Sequence, residues 1–137
     1  MSFRYKSALL SLVSMAAVYG WFFTTLMLHK FGGRHFNPIV SLGGAVVALA
    51  VIQIAGHIII AGTSSDKYGP PDERERAFDR RATTVGYYVL IVGALAAIAT
   101  LHLGFNAPDL GHAVLLAIVF AECTRQLVFL IAHHQAT

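Results

Sequence analysis

The chain has 137 residues, 56% of them hydrophobic and 12% charged, with a mean hydropathy of +0.64 and a formal net charge of +3. Soluble domains carry roughly 25% charged residues, so half that value, together with long uncharged runs, excludes an ordinary soluble domain and reads as an integral membrane protein. The basic excess does not read as nucleic-acid binding, because the bases gather beside the apolar runs, where membrane topology explains them.

The N-terminal arm carries Arg4 and Lys6 and leads into residues 8–28, a run of 21 residues without a formal charge. At 1.5 Å per residue it reaches across a hydrocarbon core of about 30 Å. The run is too long for a secretory signal and ends in Trp21, Phe22 and Phe23 rather than a small-residue cleavage site, so it is expected to be a retained span. Pro38 heads the second span, residues 39–62, at a first-turn position where its missing N–H costs nothing. Only Gln53 and His57 interrupt that span. Residues 85–105 form an uncharged third span, and residues 112–132 a fourth that contains Glu122, Cys123 and Arg125. The lone Cys123 allows neither an internal disulfide nor a cysteine-based metal cage. A segment in lipid must satisfy its backbone internally, and the alternating pattern of a barrel strand is absent, so all four spans are predicted to be helices. The expected fold class is all-α: a polytopic membrane protein, residues 1–137 forming a single four-helix transmembrane domain.

Residues 30–37 and 104–111 are short connections, whereas residues 63–84 form a longer, charged one. Two tight hairpins joined by a polar loop are the natural topology. The arm (Arg4, Lys6) and the middle loop (Lys67, Arg74, Arg76, Arg80, Arg81) hold seven of the ten basic residues, against Lys30 and Arg34 in the short connections. Both termini and the middle loop are therefore expected in the cytoplasm. Phe3, Tyr5, Tyr87 and Tyr88 at one surface, and Phe31 and Phe36 at the other, fit an aromatic belt. Gly43 and Gly44 on the second span, and Gly86, Gly93, Ala94 and Ala97 on the third, permit close helix approach within the chain or across a homodimer.

In the middle loop, residues 64–71 are turn-forming, and the following Asp72, Glu73, Arg74, Glu75, Arg76, Asp79, Arg80 and Arg81 place acids first and bases last. That order marks a helix start. The third helix is predicted to begin near Asp72 in the cytosol and to run unbroken into the membrane near Ala82, with Asp72 and Glu73 spaced to pair with Arg76. This stretch reads either as a solvated turn that touches anionic lipid or as a docking face for a cytosolic partner. The Asp-Glu-Arg-Glu-Arg run between the second and third spans, followed by a fourth span carrying Glu122 and Arg125, resembles a group of small, largely uncharacterised bacterial four-helix inner-membrane proteins classed as a domain of unknown function. Some relatives of that group sit beside small helix-turn-helix regulators. The resemblance implies a bacterial inner-membrane location and a protein that restrains a cytosolic regulator, and it supplies no catalytic residues.

Polar groups inside the spans form a second candidate site. Glu122 lies ten residues into the fourth span, about 15 Å deep. A charged residue at such depth costs roughly 2.5 to 3.5 kcal/mol even on lenient insertion scales, so it must face protein, be paired or be protonated. Arg125 and Gln126 follow at i+3 and i+4, and Gln53 and His57 share one face of the second span. Counted from the cytoplasmic ends, these groups are expected to occupy one layer, either as a hydrogen-bonded clasp with Arg125 snorkelling to the headgroups or as a proton or cation site. His29, His35, His102 and His112 fall at the outer level with Asp109, a set that would allow a metal or haem without requiring one. His133 and His134 read as a solvated tail.

No hydrolase motif or phosphate loop is present, so an enzyme is not expected. The leading expectation is a non-enzymatic interaction protein or membrane-complex subunit that needs no cofactor, makes no direct contact with nucleic acid and holds a soluble partner through its loop. The alternatives are a small transporter or channel using Glu122, and a redox subunit holding haem or quinone. In small multidrug exporters of similar length the essential carboxylate lies in the first helix, where residues 8–28 have none.

Overall fold

The computed structural model describes residues 3–32, 37–63, 72–104 and 106–135. These form four helices: α1 (Phe3–Gly32), α2 (Pro38–Thr63), α3 (Glu73–His102) and α4 (Ala107–Gln135). Each is long and apolar enough to cross a membrane, at 30, 26, 30 and 29 residues. At 1.5 Å per residue they measure about 39 to 45 Å, so their ends extend past the hydrocarbon core. The expected turn at residues 64–71 lies outside the described residues, as does His35.

Local chemistry sets the helix ends. Asn37 caps α2, its Oδ1 accepting from the N–H groups of Ile39 at 3.1 Å and Val40 at 3.3 Å, with Pro38 in the first turn. Asp72 caps α3: its carboxylate accepts from Glu73 N at 2.7 Å and its carbonyl from Arg76 N at 3.0 Å. The predicted start and unbroken course of α3 are therefore observed, with Asp72 serving the helix end rather than Arg76.

The connection expected over residues 104–111 is shorter than the sequence suggested. Gly104 adopts a left-handed φ of 85°, open to glycine at no steric cost, and turns the chain immediately after α3. Asp109 N and Leu110 N then donate to the Asn106 carbonyl, so α4 has already begun and Asp109 and Gly111 are helical. Pro108 and Asp109 suit a first turn, the one lacking an N–H and the other complementing the positive helix end. The predicted tail is also helical: His133 belongs to α4, and its ring stacks on Phe129 at a centroid distance of 6.2 Å.

The chain divides into two compact units, Met1–Tyr68 and Gly69–Thr137. In the first, α1 packs on α2 and buries Ala8, Tyr19, Phe22 and Leu26 on α1 and Ala45 on α2. Only 6% of the apolar window of α2 is buried, and most of its Val and Ile side chains are exposed. In the second unit α3 packs on α4 through Ala82, Gly86 and Ala97 against Ala117, Ala121 and their neighbours. A Cβ at Gly93 would fall 2.7 Å from the Cβ of Ala117, and one at Gly86 would fall 3.1 Å from the Cβ of Arg125. The small residues of α3 thus allow the backbone approach predicted for them.

Gly93→Val should therefore force α3 and α4 apart and lower stability by about 1–3 kcal/mol. Gly43→Val is the matched control, because its added Cβ meets nothing within 4 Å among the described residues. Denaturant titration of the two variants in one detergent checks the difference; equal loss in both would show that the α3–α4 contact is not the cause.

Candidate functional site

In the first unit Gln53 and His57, one helical turn apart on α2, meet a line of three serines on α1. The Nδ1 of His57 lies 2.7 Å from the carbonyl of Gln53 and its Nε2 lies 2.7 Å from Ser7 Oγ. A carbonyl can only accept, so Nδ1 carries the hydrogen, and in the neutral ring Nε2 accepts from the Ser7 hydroxyl. The Gln53 amide uses both ends: Oε1 accepts from Ser11 Oγ at 3.3 Å, and Nε2 donates to Ser14 Oγ at 2.9 Å. Ser14 in turn donates to the Ser11 carbonyl at 3.2 Å.

These serines are the hydrogen-bond partners that hydropathy alone overlooks. Serine barely interrupts an apolar run, but Ser7, Ser11 and Ser14 repeat at i, i+4 and i+7 and so share one helix face. Matching that spacing to Gln53 and His57 on the next span was the available signal.

In the second unit the carboxylate of Glu122 is held on its own helix. The Nε of Arg125 donates to both carboxylate oxygens at 3.1 Å, its Nη2 donates to Oε1 at 2.5 Å, and Gln126 Nε2 donates to the same oxygen at 3.0 Å. The other arm of the guanidinium, Nη1, reaches Asp79 of α3 at 3.7 Å. Arg125 therefore stands between an acid inside its span and an acid on the charged first turns of α3. That is the snorkelling direction expected of an arginine stem. Gly86 makes it possible, because the Cβ and Cγ of Arg125 cross α3 where that glycine has no side chain. Glu122 and Arg125 side chains each retain 34% exposure, so the pair sits in the flank of the unit rather than sealed in its core.

Of the predicted docking residues, Asp72, Glu73, Arg74, Arg76, Arg80 and Arg81 are exposed, Glu75 is half-buried, and Asp79 is exposed but shared with Arg125. The described histidines of the candidate metal set fall on separate helices: His29 in the last turn of α1, His102 at the end of α3, and His112 half-buried in α4. Among the described residues, no group of three His, Cys, Asp or Glu side chains is placed to hold a metal ion. No family model matches this chain, and no curated protein or solved structure matches it either.

Removing Glu122 leaves Arg125 with only its longer contact to Asp79. Glu122→Leu should lower stability by about 2–3 kcal/mol, whereas Glu122→Leu combined with Arg125→Leu should recover most of that loss. A double-mutant cycle in detergent or bicelles measures the coupling directly. A double variant no more stable than the single one would mean that the pair is not the source of the cost.

Proposed function

We propose that this chain is a non-enzymatic bacterial inner-membrane protein that binds or regulates a soluble partner through the first turns of α3. Its four helices would form two hairpins, with both termini and residues 64–81 in the cytoplasm, consistent with the seven basic residues of those segments. The observation that carries the reading is α3 itself. Nine residues, 73–81, continue the spanning helix as a capped, largely exposed and charged extension about 13 Å long.

The order of charge gives the extension two jobs. Arg80 and Arg81 lie next to the apolar run, where they favour anionic headgroups, while Asp72 and Glu73 stand furthest out. The acids are then available to a basic partner surface. This reading stands ahead of a proton or cation carrier because Glu122 is occupied by Arg125 and Gln126, which is the arrangement of a structural pair.

Two measurements test it. In a Cys123→Ser background, Ala77→Cys should react with an impermeant thiol reagent only after the cells are opened; labelling in intact cells would reverse the orientation. Exchanging Asp72 for Asn and Glu73 and Glu75 for Gln removes three charges while leaving an oxygen at the α3 cap, and acids weigh little in topology. A photo-crosslinker at position 77 should capture the partner in the native protein at least tenfold more strongly than in that variant. Equal capture by both would defeat the docking assignment.

A further inference from the structure

We propose that Ser7 is a base-activated nucleophile that accepts an acyl group from a carboxylic ester presented at the membrane surface, with His57 as the proton acceptor. The inference goes beyond the docking reading and rests on a different unit of the chain. Ser7 Oγ stands 2.7 Å from His57 Nε2, and the ring is fixed by Nδ1 donating to the Gln53 carbonyl at 2.7 Å. A hydroxyl within hydrogen-bond reach of a ring nitrogen, with the base oriented by a third group, is the arrangement that makes an alcohol nucleophilic.

The neighbouring serines set Ser7 apart. Ser11 gives its proton to the Gln53 amide oxygen and Ser14 to a backbone carbonyl, neither of which is a useful base. Ser7 alone of the three faces an imidazole. The ester class follows from position. Ser7 immediately precedes the uncharged run 8–28, so its hydroxyl stands where the hydrocarbon begins, the level at which the ester groups of glycerolipids lie. Arg4 and Lys6 place positive charge just ahead of it and favour lipids with anionic headgroups.

The step balances without a further reactant. Ser7 Oγ attacks the ester carbonyl carbon while its proton passes to His57 Nε2. The bond from that carbon to the alcohol oxygen then breaks, and His57 returns the proton to the leaving alkoxide. The products are O-acyl-Ser7 and a free alcohol, which for a diacyl lipid is its lyso form. One transfer leaves a modified protein, so the step requires no turnover.

The test uses the full chain in detergent with a fluorophosphonate probe, where fluoride is the leaving group. Peptide mapping of the native protein should place the adduct on Ser7. His57→Gln should label more slowly by roughly 10²-fold or more, the scale of general-base assistance. Absence of an adduct, an adduct spread evenly over Ser7, Ser11 and Ser14, or a rate unchanged in His57→Gln would each overturn the proposal. If His57→Gln does not fold, the adduct map of the native protein decides alone. For the ester itself, the protein is incubated in vesicles of diacyl phosphatidylglycerol and phosphatidylethanolamine, with ether-linked analogues as the control. Intact mass should rise by one acyl chain with the ester lipids only; no gain, or the same gain with ether lipids, rejects lipid esters as donors.

Discussion

Hydrocarbon offers no water to hydrogen-bond, so any polar side chain placed in a span must find its partner in protein, and this constraint organises both units of the chain. Each unit answers it internally. In the first, the α1–α2 connection joins one end, and at the other end Ser7 and His57 tie the helices together while Gln53 bridges Ser11 and Ser14 further in. In the second, Gly104 turns the chain at one end and Asp79 and Arg125 meet toward the other. A covalent connection at one end and polar contacts toward the other hold two long rods in register, which apolar packing against lipid cannot do by itself.

Such contacts add specificity more than bulk stability. Interhelical hydrogen bonds in membranes average about 0.6 kcal/mol, because a helix separated within the bilayer also finds partners. Close packing supplies the remainder, and here the two devices depend on each other. Arg125 reaches Asp79 because Gly86 leaves room for its stem, and Gly93 brings the backbone of α3 onto Ala117 a little further along. A larger residue at Gly86 would disturb an ion pair as well as a van der Waals contact.

Four helices, the α3 start at Asp72, and the small-residue contact face of α3 were all legible in the sequence, since each depends on a local pattern: long apolar runs, acids before bases, glycine and alanine spaced for one face. The short α3–α4 turn was harder to read, because Gly111 and the polar Asp109 imitate a loop when Asn106 and Pro108 are not weighed as a helix start. Within the candidate sites, Gln53, His57, Glu122 and Arg125 announce themselves as polar groups in apolar runs, but the partners do not. Ser7, Ser11 and Ser14 hide in a hydropathy average, and the bond from Asp79 to Arg125 joins residues 46 positions apart. Pairings of that kind depend on how two helices cross, which no local pattern encodes.

The unbroken course of α3 makes it a lever. Its first nine residues precede the apolar run and touch α4 through Asp79, and its remaining 21 continue along α4, with no proline or left-handed residue between them to act as a joint. A sideways load applied at Glu73 is therefore carried as tilt of the whole rod rather than absorbed at the membrane surface. The pivot falls where Gly86 and Gly93 rest on α4, so the two ends are arms of comparable length, and the far end near His102 swings opposite to the applied push. Tilt of this sort would let an event at the Glu73 end be felt at the His102 end through rigid geometry alone.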